Sequence, residues 1–227
     1  MQRVTDKREL EYYVEKFDID SIFEKDMRKY MELHIFSKGE QIYNAGTKAD
    51  YVYFIVKGKF KVLMVQKNGK SILLRFYEPF LMLGDIELLG YVDPLCSLEA
   101  LNEVICLGIS VEVIRTQSME DPKFLSFVAK SLAQKLIESS TSSSINLSYP
   151  LENRLASYLL AISPEENIVG IATNKLTEMA GFLGTSYRHL SRTLNKLYSK
   201  NLIRKENNYI EILNREELEK LAGDLYK

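Results

Sequence analysis

Between Lys123 and Tyr149 the chain has neither glycine nor proline, and the stretch opens on Asp121-Pro122. Pro122 suits a first helical position, where its missing N–H costs nothing, and Asp121 can accept from the free N–H groups of the first turn. Leu125, Val128, Leu132 and Leu136 then recur at helical spacing. The pattern predicts one continuous helix over 121–148. Its second half has a small, polar seam through Ser139, Ser143 and Asn146. The serine run Ser139–Ser144, interrupted by Thr141, also suits a flexible linker, but no breaker interrupts the helical pattern. A lone stripe of this kind wants a partner, and the economical one is a second copy in a twofold homodimer.

The flanks differ in character. Residues 6–31 read as helical, with Asp6 as cap, Glu9 at the third position, and Leu10, Tyr13, Val14 and Phe17 on one face. Residues 33–114 change to short β-rich runs: Tyr51–Val56, Phe60–Val65, Ile72–Tyr77 and Val104–Ile109. Turn signals punctuate them, Asn68-Gly69 most clearly, because a tight hairpin needs positive φ. Many short strands with frequent turns predict a small β-barrel or sandwich. The fold class is therefore α+β: a β-barrel over 1–120, the long helix over 121–148, and a second domain over 149–227.

That last domain carries the chemistry. After the break at Tyr149-Pro150, Leu151, Leu155, Tyr158 and Leu159 begin a helix, and Leu176 to Leu197 fits a helix-turn-helix. Met179 and Leu183 form the inner face of its first helix, and Ala180 is small at the crossing. Gly184 supplies the positive φ of the turn. Thr185 or Ser186 can cap the second helix, and Leu190, Leu194 and Leu197 pack it back. Its opposite face carries Tyr187, Arg188, Ser191, Arg192, Asn195 and Lys196, the polar and basic set that a major-groove reader must present. Arg can bond guanine O6 and N7 together, while Ser, Tyr and Lys suit phosphate oxygens. A hairpin follows, Leu202 to Leu213, with Arg204 and Lys205 near a turn at Asn207-Asn208: the wing of a winged helix. Asn214 then caps a last helix carrying Leu218, Leu221, Ala222 and Leu225.

Charge agrees in place rather than in sum. The net charge of −1 excludes a polycation that coats nucleic acid indiscriminately. Within 175–205, however, seven basic residues stand against Glu178 alone, a local footprint for a polyanion such as double-stranded DNA.

The order of β-barrel, long helix and winged helix-turn-helix resembles the CRP/FNR superfamily of bacterial transcription regulators along essentially the whole chain. The segment Leu183-Gly184-Thr185-Ser186-Tyr187-Arg188-His189-Leu190-Ser191-Arg192 is similar to that family's recognition helix. By position Tyr187 falls on the family's first base-reading Arg, Arg188 on its Glu, and Arg192 on its second Arg. Two of three readers are changed, so the family's usual half-site is not implied. The Thr-Ser-Tyr-Arg-His-Leu string is similar to that of the YeiL-type branch. The resemblance implies a cyclic-nucleotide-binding-like jelly roll, a dimerisation helix, and DNA-binding roles for Thr185, Ser186, Tyr187, Arg188, Ser191, Arg192, Lys196, Arg204 and Lys205. RNA polymerase is a further candidate partner.

The family's phosphate cassette reads Gly-Glu-Leu and then Arg-Ser-Ala; here it reads Leu83-Gly84-Asp85-Ile86 and then Pro94-Leu95-Cys96. Pro94 supplies neither charge nor N–H, and a buried phosphate without its cation lacks the main offset to desolvation. Cyclic AMP in the usual mode is not expected. Gly84, Asp85, Cys96, Ser139 and Ser140 remain as pocket residues for another small-molecule effector, of unknown identity, and the cofactor is unassigned. An iron–sulfur cluster of the FNR kind needs four cysteines, and the chain has Cys96 and Cys106, which read as strand residues suited to a reducing cytoplasm. His34 and His189 do not form a metal-ligand pattern, and no nucleophile elbow or phosphate loop is present, so neither a metal nor an enzyme is expected. The start, Met1 to Asp6, is polar, and every long apolar run is interrupted by charge, so no membrane span is expected either. A ligand-binding sensor whose winged helix contacts protein is the alternative function.

Overall fold

The computed structural model describes residues 1–4, 6–65, 71–77, 79–162, 168–170, 173–206 and 209–223. The predicted turns at Asn68-Gly69 and Asn207-Asn208, and Leu225, lie outside them. The chain forms two compact units, Met1–Ile137 and Glu138–Lys227.

The first unit opens with β1 (Gln2–Val4) and α1 (Lys7–Lys16), whose first turn is capped by the Asp6 carboxylate accepting from the N–H groups of Arg8 and Glu9. The helix expected over 6–31 ends early. Asp18 takes a left-handed φ of 50°, and short 3-10 turns at Ile19–Ile22 and Arg28–Tyr30 replace further α-helix. The physical reason is phase: Leu10, Tyr13, Val14 and Phe17 form one apolar stripe, and Ile19, Ile22, Phe23 and Met27 would fall on the opposite side of a straight helix, so packing both sets into one core requires a break. Then come β2 (Met31–Phe36), β3 (Gln41–Tyr43), β4 (Tyr51–Lys57), β5 (Phe60–Val65), β6 (Ser71–Tyr77), β7 (Leu81–Leu83), α2 (Asp85–Gly90), β8 (Cys96–Ala100), β9 (Val104–Ser110) and α3 (Val111–Gln117).

These strands make two antiparallel sheets, ordered β1-β2-β9-β4-β7 and β3-β8-β5-β6. Period-two alternation decides which core each side chain enters. Tyr53, Ile55 and Cys106 join Phe60, Val62, Leu98 and Ala100 between the sheets. Val52, Phe54, Ile105 and Leu107 face the other way, against Val14, Phe23, Ile114, Phe124 and Val128 of the helical layer. The five-stranded sheet is thus covered on both faces, which is why β9 is buried from Val104 to Ile109 rather than alternating. The result is a double-sheet jelly roll.

Helix α4 (Pro122–Ser148) is continuous, as the missing breakers require. One Asp121 oxygen accepts from the N–H groups of Lys123 and Phe124, and the other accepts from the N–H of Glu24 at 2.7 Å. Phe124 and Val128 are fully buried, whereas Leu136 and Ile137 are 68% and 60% exposed. The second unit contains α5 (Leu151–Ala161), β10 (Ile168–Gly170), α6 (Thr173–Phe182), α7 (Tyr187–Ser199), β11 (Ile203–Glu206), β12 (Tyr209–Ile212) and α8 (Arg215–Ala222). Its three-stranded sheet runs β10-β12-β11. The Asn214 side chain caps α8 by accepting from the N–H of Glu217, and Leu218 and Ala222 pack inward.

Candidate nucleic-acid interface

The predicted helix-turn-helix is α6, a tight turn, and α7. Gly184 turns the chain at φ 58°, and the N–H of Thr185 returns to the carbonyl of Ala180. Ser186, not Thr185, is the cap: its hydroxyl oxygen accepts from the N–H of His189 at 3.2 Å. Thr185 instead meets His189 Nδ1 at 3.2 Å. Leu190, Leu194 and Leu197 are buried together with Met179, Ala180 and Leu183, so the orientation of α7 about its own axis is fixed by apolar contacts.

That orientation leaves Tyr187, Arg188, Arg192, Asn195 and Lys196 exposed, with Ser191 half-buried between them. Arg188 and Arg192 are one turn apart and, among the described residues, neither forms an ion pair. The other predicted cations behave differently. The Glu152 carboxylate of α5 bridges the ammonium groups of Lys196 and Lys200. Burial raises the Glu152 pKa, but hydrogen bonds and charge from the two lysines outweigh it and hold the carboxyl below its usual value. In the wing, Arg204 is held by Glu211, at 3.0 and 2.6 Å, and by Glu206 at 3.1 Å, while Lys205 is exposed with no ion pair among the described residues. Lys175, counted in the basic cluster, lies outside the described side chains.

Arg154 escaped the sequence reading. It is 7% exposed on α5, and its guanidinium donates to the carbonyl of Tyr149 at 3.0 Å and to that of Leu183. Both acceptors stand just past helix ends, of α4 and α6, where carbonyls lack intrahelical partners and the dipole favours a cation. The arginine therefore seats the turn that launches α7. One signal could have found it: Arg154 falls on the apolar side of α5, among Leu151, Leu155, Tyr158 and Leu159.

The predicted effector residues are divided between the two units. Gly84 turns at φ 89°, and a Cβ built there would lie 2.6 Å from the Tyr43 hydroxyl. Asp85 is 1% exposed and faces α4: both its oxygens lie 2.7 Å from Lys135 Nζ, and one accepts from Ser131 Oγ at 3.0 Å. Pro94 gives its carbonyl to the N–H of Gly46. Cys96 is half-buried and Cys106 fully buried, and burial raises both thiols above their ordinary value. Ser139 and Ser140 are exposed in the second unit. His34 is buried, with Nδ1 on the Tyr53 hydroxyl and Nε2 on Glu32, so neither nitrogen is open to a metal. No described helix is long and apolar enough to cross a membrane.

Comparison with known proteins gives the same parts in the same order. Residues 33–121 match the cyclic nucleotide-binding domain family and residues 153–221 the Crp-like helix-turn-helix domain family. The regulatory protein YeiL of Escherichia coli O157:H7 is 28% identical over 89% of this chain and 91% of its own. Among solved structures, a protein of the CRP/FNR family from Eubacterium rectale covers 86% of this chain and 91% of its own, with a TM-score of 0.78 at 17% identity. A CRP/FNR-family regulator from Thermus thermophilus covers 84% and 97%, with a TM-score of 0.69 at 23% identity, so both show a shared fold. With a jelly roll, a long helix and a DNA-binding helix-turn-helix in this order, the chain belongs to the CRP/FNR family of transcription regulators.

Proposed function

We propose that the chain acts in the cytoplasm as a homodimer that lays two copies of α7 in successive major grooves of a palindromic site, about 34 Å apart. Residues 1–120 are then the sensor, 121–148 the dimerisation helix and 149–227 the reader. The observation that carries this is the pair Arg188 and Arg192: exposed, one turn apart and without ion partners among the described residues, on a helix whose other face is buried. Arg188 and Arg192 reach base edges; Thr185, Ser186, Tyr187, Ser191 and Lys205 meet phosphate. Control comes from an effector other than cyclic AMP, or from none. In support, the cassette acid already has a cation, Lys135, and Pro94 brings no charge to a phosphate. RNA polymerase is the partner that a bound regulator of this kind would contact.

Site selection from a randomised duplex pool tests the reading. Each of Arg188→Ala and Arg192→Ala should relax preference at its own base position, by about 1–3 kcal/mol of discrimination. Unchanged preferences in both variants would remove these two residues as readers.

A further inference from the structure

Arg188, Arg192, Lys196 and Lys200 follow one another at intervals of four along and just past α7, so they lie on one side of the helix. Taken alone, that ladder would track phosphates along its full length and hold any duplex by charge. The structure divides it. The lower two cations share one carboxylate, Glu152, whose side chain is only 13% exposed, while the side chains of Lys196 and Lys200 are 59% and 47% exposed. The upper two have no acidic partner among the described residues.

We infer that Glu152 is a specificity-determining residue: by holding Lys196 and Lys200, it confines the electrostatic grip of α7 to the arginine half and so suppresses binding to arbitrary sequence. The inference rests on the DNA-binding reading above and adds a residue that touches no DNA. Its physical basis is counterion release. Each lysine free to neutralise a phosphate adds a sequence-independent term to affinity and about 0.9 to the slope of log K against log salt. A lysine already paired with a carboxylate releases fewer counterions on binding. With both lysines about half in water, the pair contributes little to stability, which leaves its effect on the charge presented to DNA as the larger one.

The test compares the full-length chain with Glu152→Gln on two probes, the duplex selected from a randomised pool and the unselected pool itself, across a salt series. Glutamine keeps the shape and removes the charge. The variant should bind the unselected pool more tightly, narrow the ratio of selected to unselected affinity, and steepen the salt slope by up to about 2. Between roughly 50 and 200 mM salt that steepening is an extra loss of about tenfold. Adding Lys196→Gln and Lys200→Gln to Glu152→Gln should return the slope to that of the unaltered chain, which a merely structural loss at Glu152 would not do. If the unaltered chain binds duplex and Glu152→Gln leaves slope and ratio unchanged, the role of Glu152 is wrong while the DNA-binding reading stands. If the unaltered chain binds neither probe, both fall.

Discussion

Lys135 Nζ lies 2.7 Å from each carboxylate oxygen of Asp85, and it also donates to the carbonyl of Met82 at 2.8 Å. The acid of the cassette turn is therefore satisfied from within the chain, by helix α4. Removing one partner strands the other: Lys135→Met leaves a carboxylate that is 2% exposed without its cation. Such a loss costs about 3 kcal/mol. The double change Asp85→Asn with Lys135→Met should recover most of it, because no charge is then buried unpaired. Chemical denaturation of the unaltered chain and the two variants checks this. Equal stabilities for the single and double variants would show that the pair does not couple.

Arg154 should matter for the second unit as Lys135 does for the first. Arg154→Met abandons two helix-end carbonyls and should cost about 2–3 kcal/mol of stability. Arg154→Lys should recover only part, since one ammonium does not reproduce the planar fork that reaches Tyr149 and Leu183 together. Denaturation curves measure the cost. Affinity for a selected duplex should fall in the same order, because the turn at Gly184 loses its seat.

What could be read from the chain alone follows how local each cause is. Gly184, the Ser186 cap, the Asp121 cap and the Asn214 cap are decided within a few residues, and each is visible as a residue type at a fixed offset. The contacts of Glu152 with Lys196 and Lys200 join residues more than forty positions apart, and Asp85 with Lys135 fifty. Only the packed tertiary fold brings them together, so the basic cluster looked uniform in the sequence and is divided in the structure. Residues 17–30 misled for a related reason. Their apolar residues suit a helix, but the stripe of Ile19, Ile22, Phe23 and Met27 is out of phase with that of Tyr13 and Val14, and one core takes both only if the helix breaks between them.

The buried His34 makes stability depend on pH in a defined direction. Burial lowers its pKa below 6.5; the hydrogen bond and charge of Glu32 pull the other way, and Arg3 and the terminal ammonium add to the lowering. The unfolded chain, with its ordinary histidine, therefore takes up the proton first as the pH falls. His34 contributes fully above about pH 6.5, and its contribution is lost as the pH drops through that value toward the lower folded pKa, by up to about 1.4 kcal/mol per pH unit. His34→Gln should flatten this part of the profile while leaving the acid limb below pH 4.5, where carboxylates such as Glu152 titrate. Unfolding free energy measured downward from about pH 8 decides it; an unchanged profile in His34→Gln would assign the slope elsewhere.

Helix α4 supplies the last prediction. Leu136 and Ile137 are adjacent, strongly exposed and apolar, and Leu147 further along the same helix is 88% exposed. Single exposed apolar side chains are ordinary, but several on one helix, two of them adjacent, call for a partner surface. A twofold axis running beside α4 would cover each of them twice, at about 1.5–3 kcal/mol for every side chain taken fully from water. Glutamate at both positions, Leu136→Glu with Ile137→Glu, would place four carboxylates in that contact. Sedimentation equilibrium should report a dimer for the unaltered chain and a monomer for the double variant. Binding to a palindromic duplex should weaken far more than binding to a single half-site, because only the dimer engages both halves at once. A dimer that persists in the double variant would move the axis to another surface.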